Sequence, residues 1–404
     1  MAYQETTSKS YGSRLGGGLR GIGGGIVAII IGSALLWWNE GRAVKTARML
    51  DEAQDAAIHV EDVTRIDPAL EGKLIHACAL TATQDSLSDP MFNVGAVAIR
   101  LDRRVEFYQW VEEKKETKKD KIGGGEEAVT TYTYKKAWTA KPVNSQEFKD
   151  TLYKDSNKVL MALEPKEQVA ENVTFGAYRL PSRMISSISG ARPVELSLPQ
   201  EQLREINKVA MAAAGDTTLR ADSLLTYVRI NENQLYIGRS EGAPEIGDVR
   251  VTFSVVLPGE ASIIAQVQGD TFVNYTAKNG KTLSTLSMGA KSMDEMFESQ
   301  KASSSTWTWI LRILGALIVI GGFKSIFSLL YLLFKVLPFL ADIVEAGVGL
   351  VAGILGVAWS LIIIALAWIA FRPVVAIIIL VIAVAAIAFG VMKGRGKKAV
   401  APTE

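Results

Sequence analysis

Residues 347–371 run for twenty-five positions without a charge, and residues 374–392 for another nineteen. A helix rises about 1.5 Å per residue, so roughly 20 apolar residues cross the hydrocarbon of a bilayer. Two further stretches approach that length. Residues 21–38 are uncharged for eighteen positions, and residues 307–323 form a seventeen-residue apolar run with Arg312 near its start. Arg372 and Pro373 separate the last two runs. That spacing predicts a tight helical hairpin, with the proline in the first turn of its second helix. The chain is therefore expected to hold four membrane helices, one amino-terminal and three carboxy-terminal, around a large middle segment, 39–306.

The first run is read as a retained anchor and not as a cleaved leader. A leader has an apolar stretch of roughly 7–15 residues followed by small residues at the cut site. Here the run ends in Trp37, Trp38, Asn39 and Glu40. Paired tryptophans suit the membrane interface.

Charge then suggests orientation. Lys9, Arg14 and Arg20 precede the first helix, and Lys393, Arg395, Lys397 and Lys398 follow the last. The positive-inside rule places both ends, 1–20 and 393–404, in the cytoplasm. Four crossings are consistent with that. The middle domain is then extracytoplasmic: periplasmic in a bacterial inner membrane, the preferred reading, or lumenal in the endoplasmic reticulum or inner nuclear membrane.

Residues 324–346 do not read as a simple span. Lys324, Ser328, Tyr331, Lys335 and Asp342 share one helical face, opposite Ile326, Phe327, Leu330, Phe334 and Leu337. This two-sidedness predicts a helix along the cytoplasmic leaflet. The alternative is a long membrane helix with a snorkelling lysine.

The middle domain reads as α+β with a mostly antiparallel sheet. Ala43, Ala47, Leu50, Ala53 and Ala57 recur at helical spacing just after Trp38. Val97, Ile99, Leu101, Val105 and Phe107 alternate with charged neighbours, as in a half-buried strand. Residues 130–138, rich in Thr, Tyr and Trp, are its expected hairpin partner. Val249, Val251, Phe253 and Val255 open a second β block, continued after a break by residues 261–270. Helical stretches are expected over 200–209 and 293–302.

Composition limits function. Of 44 Lys/Arg and 42 Asp/Glu in the chain, 11 basic but only 4 acidic residues lie outside 39–306. The middle is thus acidic, which argues against a nucleic-acid partner. The lone Cys78 cannot form an intrachain disulfide, and His59 and His76 are the only histidines. His76 alternates with apolar neighbours and reads as a core residue more readily than a ligand. No constellation of nucleophile, base or metal ligands stands out, so no catalytic residue, metal or cofactor is expected. Gly21 and Gly25 are four apart, and Gly349, Gly353, Gly356 and Ser360 form a second small-residue stripe. Both suit close helix packing.

Several segments resemble one family. Asn39, Glu40, Gly41, Arg42, Ala43, Val44, Lys45, Thr46 and Ala47 look like the signature after the first membrane helix of the LUMA (transmembrane protein 43) family. Residues 71–80 (EGKLIHACAL), the run 101–112 containing Arg103, Arg104, Glu106, Tyr108 and Trp110, the run 245–251 containing Gly247, Asp248 and Arg250, and Phe371-Arg372-Pro373 also fit. The resemblance implies one amino-terminal and three carboxy-terminal membrane helices around an extracytoplasmic domain. It implies membrane organisers that associate with one another and, in animals, with nuclear-envelope proteins. It brings no catalytic residue with it. The charged residues of the 101–112 strand are read either as a solvated face or as a subunit contact.

The resulting expectation is a non-enzymatic multipass scaffold that self-associates in the bilayer and organises other membrane proteins. A channel component, or the regulator of one, is the alternative. Intramembrane charge usually marks an ion path, and only Arg312 lies inside a predicted span.

Overall fold

The computed structural model describes residues 3–121, 125–216, 226–334 and 338–373. Five helices lie among them: α1 Tyr11–Ala56, α2 Ser182–Ile185, α3 Gln200–Ala214, α4 Met293–Phe334 and α5 Pro338–Phe371. The predicted helix 374–392 and the basic tail 393–404 lie outside the described residues, as does Lys335.

The long helices follow from the apolar runs and from where proline is placed. No proline occurs in α1 or α4, so nothing interrupts their backbone hydrogen bonds over 46 and 42 residues. Pro338 instead opens α5, where its missing N–H costs nothing. α1, α4 and α5 are each long and apolar enough to cross a membrane. The helix expected after Trp38 is the direct continuation of α1, and residues 293–302 lead into the apolar run within α4. α4 continues without a break through Phe323, Lys324 and Ser328 to Phe334.

Contacts divide the chain into two units. One comprises residues 1–7, 53–117 and 128–297; the other comprises 8–52, 118–127 and 298–404.

The first unit is the β-rich domain, and its sheets are mostly antiparallel. In one sheet the order is Tyr3–Lys9, Glu126–Thr139, Arg100–Asp120, Val249–Val256, Gln234–Ile237 and Val228–Asn231. Its register pairs Glu106 with Arg250 and Val105 with Val251. Leu101, Val105, Phe107, Val249, Val251 and Phe253 are all buried in one core cluster. Against them packs α3, whose Leu203, Ile206, Ala210 and Met211 recur at helical spacing. Gly215, at φ 71°, ends α3 in the left-handed region that glycine tolerates. Val97, expected on the same strand face, is 53% exposed and belongs to a separate two-stranded ribbon, Ser86–Asp89 with Val94–Val97.

The second sheet contains a closed ring. Glu260–Gln268 pairs with Thr271–Val273, then come Tyr178–Arg179, Val173–Phe175 and Leu74–Thr83, which pairs back onto Glu260–Gln268. Closure leaves these five strands without a free edge. Ile75, Ala77, Phe175, Tyr178, Ile263, Ala265 and Phe272 fill a second core. Each buried Ile or Phe among them contributes about 1.5–3 kcal/mol by leaving water.

Residues 3–9 of the predicted tail form an edge strand on Glu126–Thr139, with Tyr132 donating to Glu5 over 3.1 Å. In the second unit, Arg14 pairs with Asp120 at 2.8 Å and Glu126 at 3.2 Å.

Candidate functional site: a polar clamp between the apolar helices

Glu40 follows the tryptophan pair of α1 and is completely buried. A carboxylate there needs a partner, because an isolated buried charge is costly. Arg312, the one charge inside the 307–323 run of α4, supplies it. Its Nε and Nη2 donate to Glu40 Oε1 and Oε2 at 2.6 and 2.8 Å. Trp368 of α5 donates its indole N–H to Glu40 Oε2 at 2.8 Å. The guanidinium also lies 4.8 Å from the ring centre of Trp309 and 5.9 Å from that of Trp368, within reach of cation–π attraction. One carboxylate thus joins three helices.

Neighbouring residues extend the clamp. Asn39 Nδ2 donates to the Thr308 carbonyl at 3.0 Å. Arg42 donates to Asn39 Oδ1 at 3.2 Å and to Thr308 Oγ1 at 3.0 Å. Thr308 in turn donates to the Ser304 carbonyl. Gly41 faces the Phe371 ring, and a Cβ there would come within 2.9 Å of it. Trp37 meets Phe371 edge-on, and Arg48 donates to the Phe371 carbonyl at the end of α5. Asn39, Glu40, Gly41 and Arg42 were singled out by resemblance. Their partners Thr308, Arg312 and Trp368 were not assigned to them. The signal available was an arginine in an apolar run and a glutamate at the end of another.

Below the clamp, glycines let α1 and α4 touch backbone to backbone. A Cβ on Gly25 would lie 2.6 Å from the Gly322 carbonyl oxygen, and one on Gly322 2.7 Å from that of Gly25. Gly32 meets Val319 and Gly315 in the same way, and Gly315 meets Leu36. Gly21 approaches Ser325, whose hydroxyl donates to the Gly21 carbonyl at 2.8 Å. Gly25 with Gly32 and Gly315 with Gly322 are each seven apart, two helical turns, a spacing legible in the sequence but not singled out there. On α5, Gly356 packs on Ile320 and Ser360 is buried, donating to the Gly356 carbonyl. Gly349 and Gly353 have nothing within 4 Å of an added Cβ among the described residues. Of the residues assigned to an in-plane helix, Ser328 donates to the Ser325 carbonyl. Lys324 and Tyr331 lie on α4, and Asp342 lies on α5.

The signature residues of the domain form a separate group. Glu106 and Arg250 are cross-strand partners joined at 2.7 Å, and Arg250 lies over the Trp138 ring at 4.4 Å. Tyr108 packs on the same ring. Trp110 meets Tyr153 and lies beneath Lys136. Gly247, at φ 106°, donates its N–H to the Tyr108 carbonyl, accepts from the Leu160 N–H and leaves no room for a Cβ beside Lys158. Asp248 is buried and accepts from Tyr236 and from the Glu245 N–H. Burial pushes the Asp248 carboxyl above its ordinary range, and burial with the adjacent Asp248 pushes the Tyr236 hydroxyl up as well. Arg103 lies on the inward face of its strand, where it pairs with Asp89 at 2.7 Å and covers Phe92. Arg104 is exposed. These contacts hold the sheet together; they assemble no reactive group.

The two histidines meet. His59 and His76 face each other across a parallel strand pair, Nδ1 to Nδ1 at 2.9 Å. His76 Nε2 contacts the Lys291 carbonyl, as does the Cys78 thiol. Burial, and to a lesser degree His59, holds the His76 pKa below its ordinary value. Among the described residues no group of three His, Cys, Asp or Glu could hold a metal.

Helices of membrane-crossing length, tied by a buried ion pair and carrying a β-rich domain between them, define an integral membrane protein. The family model described as Transmembrane protein 43 matches residues 107–373. Transmembrane protein 43 of Rattus norvegicus is 30% identical over 359 residues, 86% of this chain and 84% of that protein. The Homo sapiens protein is 30% identical over 365 residues, covering 88% and 85%. The Drosophila melanogaster homolog is 28% identical over 358 residues, covering 87% and 89%. No solved structure matches. The chain belongs to the transmembrane protein 43 family, as its signature residues suggested.

Proposed function

We propose that the protein is a non-enzymatic membrane scaffold that self-associates through its helices and organises other proteins at the bilayer. The observation that carries this reading is the pair Gly349 and Gly353. Gly25, Gly32, Gly315, Gly322 and Gly356 are each closed by a neighbouring helix, whereas Gly349 and Gly353, on an apolar helix, meet nothing within 4 Å of an added Cβ among the described residues. Open small residues in hydrocarbon favour close approach of another helix. The ion-path alternative loses its support, because the charge of Arg312 is neutralised by Glu40. The test is subunit mass in native lipid, with Gly349 and Gly353 both replaced by leucine. A discrete oligomer that the replacement dissociates supports the reading, and an unchanged mass contradicts it.

The proposed topology keeps both ends cytoplasmic and the domain extracytoplasmic, in the periplasm or the lumen. It rests on the basic residues that flank the outer spans. Two observations favour a different arrangement: residues 3–9 pair with the domain strand Glu126–Thr139, where Tyr132 donates to Glu5, and Arg14 is held by two acids of the same hairpin. A crossing by α1 instead places Arg14 and Ala56 on opposite sides. A charged β hairpin does not follow through hydrocarbon, so those pairings and the crossing exclude each other. The proposal takes the crossing, because eighteen uncharged residues ending in two tryptophans are otherwise left in water.

A further inference from the structure

A pocket of about 360 Å³ opens beside the clamp, within the roughly 300–1,000 Å³ of small-ligand sites. Its polar wall carries Lys301, Arg312 and Arg372, with the hydroxyls of Ser304, Ser305 and Thr308. No carboxylate lines it. Glu40 is buried behind Arg312, and Asp51 pairs with Lys301 at 3.4 Å. Arg372 makes no side-chain hydrogen bond or ion pair among the described residues, and neither does Ser305. Ala43, Ala47 and Leu50 of α1 also line it. Arg312 spends two of its five N–H donors on Glu40, leaving others for a second acceptor.

A second observation fixes the depth of this pocket. Trp37 and Trp38, Trp307 and Trp309, and Trp368 mark the same end of the three apolar runs, and Trp309 and Trp368 themselves line the cavity. Tryptophans so placed sit at the headgroup level of a bilayer. A basic, hydroxyl-lined hollow at that level, bordered by Trp309 and Trp368, matches a phosphate with an acyl chain attached.

We infer that this pocket binds the phosphate headgroup of an anionic glycerophospholipid, with Arg372, Arg312 and Lys301 around the phosphate, Ser304 and Ser305 donating to it, and the acyl chains leaving past Trp309 and Trp368 toward the hydrocarbon. Arginine suits phosphate through paired N–H donors. Zwitterionic lipids present the same phosphate but add a cation that this wall repels.

The test uses the full chain, delipidated in detergent and titrated with phosphatidylglycerol or phosphatidylcholine under native mass spectrometry. The expected result is one saturable phosphatidylglycerol adduct, retained about tenfold better than phosphatidylcholine. The Arg372→Gln variant loses that preference while keeping its circular dichroism and subunit mass. Ser305→Ala, a milder change, lowers it partway. Equal retention of the two lipids, or a preference that survives both substitutions, overturns the assignment. Inorganic phosphate is added in a parallel arm. Little displacement is expected, because it lacks the acyl chain, and full displacement would make this a free-phosphate site and overturn the lipid assignment.

Discussion

Arg312 and Glu40 meet in a two-pronged ion pair, Nε to Oε1 at 2.6 Å and Nη2 to Oε2 at 2.8 Å, between two long apolar helices. Removing one member of a buried pair leaves an uncompensated charge, which costs about 3–5 kcal/mol. Glu40→Gln is therefore expected to lower the thermal midpoint of the detergent-solubilised protein sharply. The double change Glu40→Gln with Arg312→Met removes both charges and is expected to recover much of the loss. A double variant as unstable as the single one would mean that the pair contributes through shape alone.

Gly25 and Gly322 predict a contrast with Gly349 and Gly353. Leucine at Gly25 has no space and is expected to cost at least about 1–3 kcal/mol, the usual range for overpacking. Leucine at Gly353 meets nothing within the described chain and is expected to leave thermal stability unchanged while weakening self-association. Thermal unfolding and subunit mass, measured on both variants, separate the two roles.

Arg103 is expected to matter more than Arg104, although the two are adjacent. Arg103 is largely buried against Asp89 and Phe92, and Arg103→Ala should cost about 3 kcal/mol. Arg104 is exposed, and its replacement by alanine should stay within about 0.5 kcal/mol. Urea unfolding followed by tryptophan fluorescence reads both.

The histidine pair predicts a pH dependence. The His76 pKa is held below its ordinary 6.5 by burial. The unfolded chain therefore binds the proton first, and stability is full above about pH 6.5 and falls as the pH drops toward the folded value. Protonating both rings also removes the Nδ1 to Nδ1 hydrogen bond, which needs one donor and one acceptor. His76→Gln is expected to flatten the dependence of the urea midpoint between pH 7 and 5. An unchanged slope would place its origin in the carboxylates.

Topology is read by cysteine accessibility. With Cys78 replaced by serine, a cysteine at Ser8 is expected to react only from the cytoplasmic face, and one at Ser305 only from the opposite face. Reaction of both from one side would favour the Arg14 pairing with Asp120 and Glu126 over a crossing by α1.

What the sequence determined by itself was whatever depends on local pattern. Uncharged runs of membrane length fixed the long helices, because hydrocarbon demands that backbone groups be satisfied within the segment. Alternation in Leu101, Val105 and Phe107 and in Val249, Val251 and Phe253 fixed two strands, and signature residues such as Asn39 to Arg42 fixed the family. Tertiary structure alone decided what depends on partners distant in the chain. Glu40 reads as an interface residue until α4 brings Arg312 to it across 272 positions. Gly349 and Gly25 carry the same local signal, yet among the described residues one is open and the other is pressed against Gly322. The closing of five strands into a ring, and the meeting of His59 with His76, depend on hydrogen bonds between segments whose own sequences specify only that each is extended.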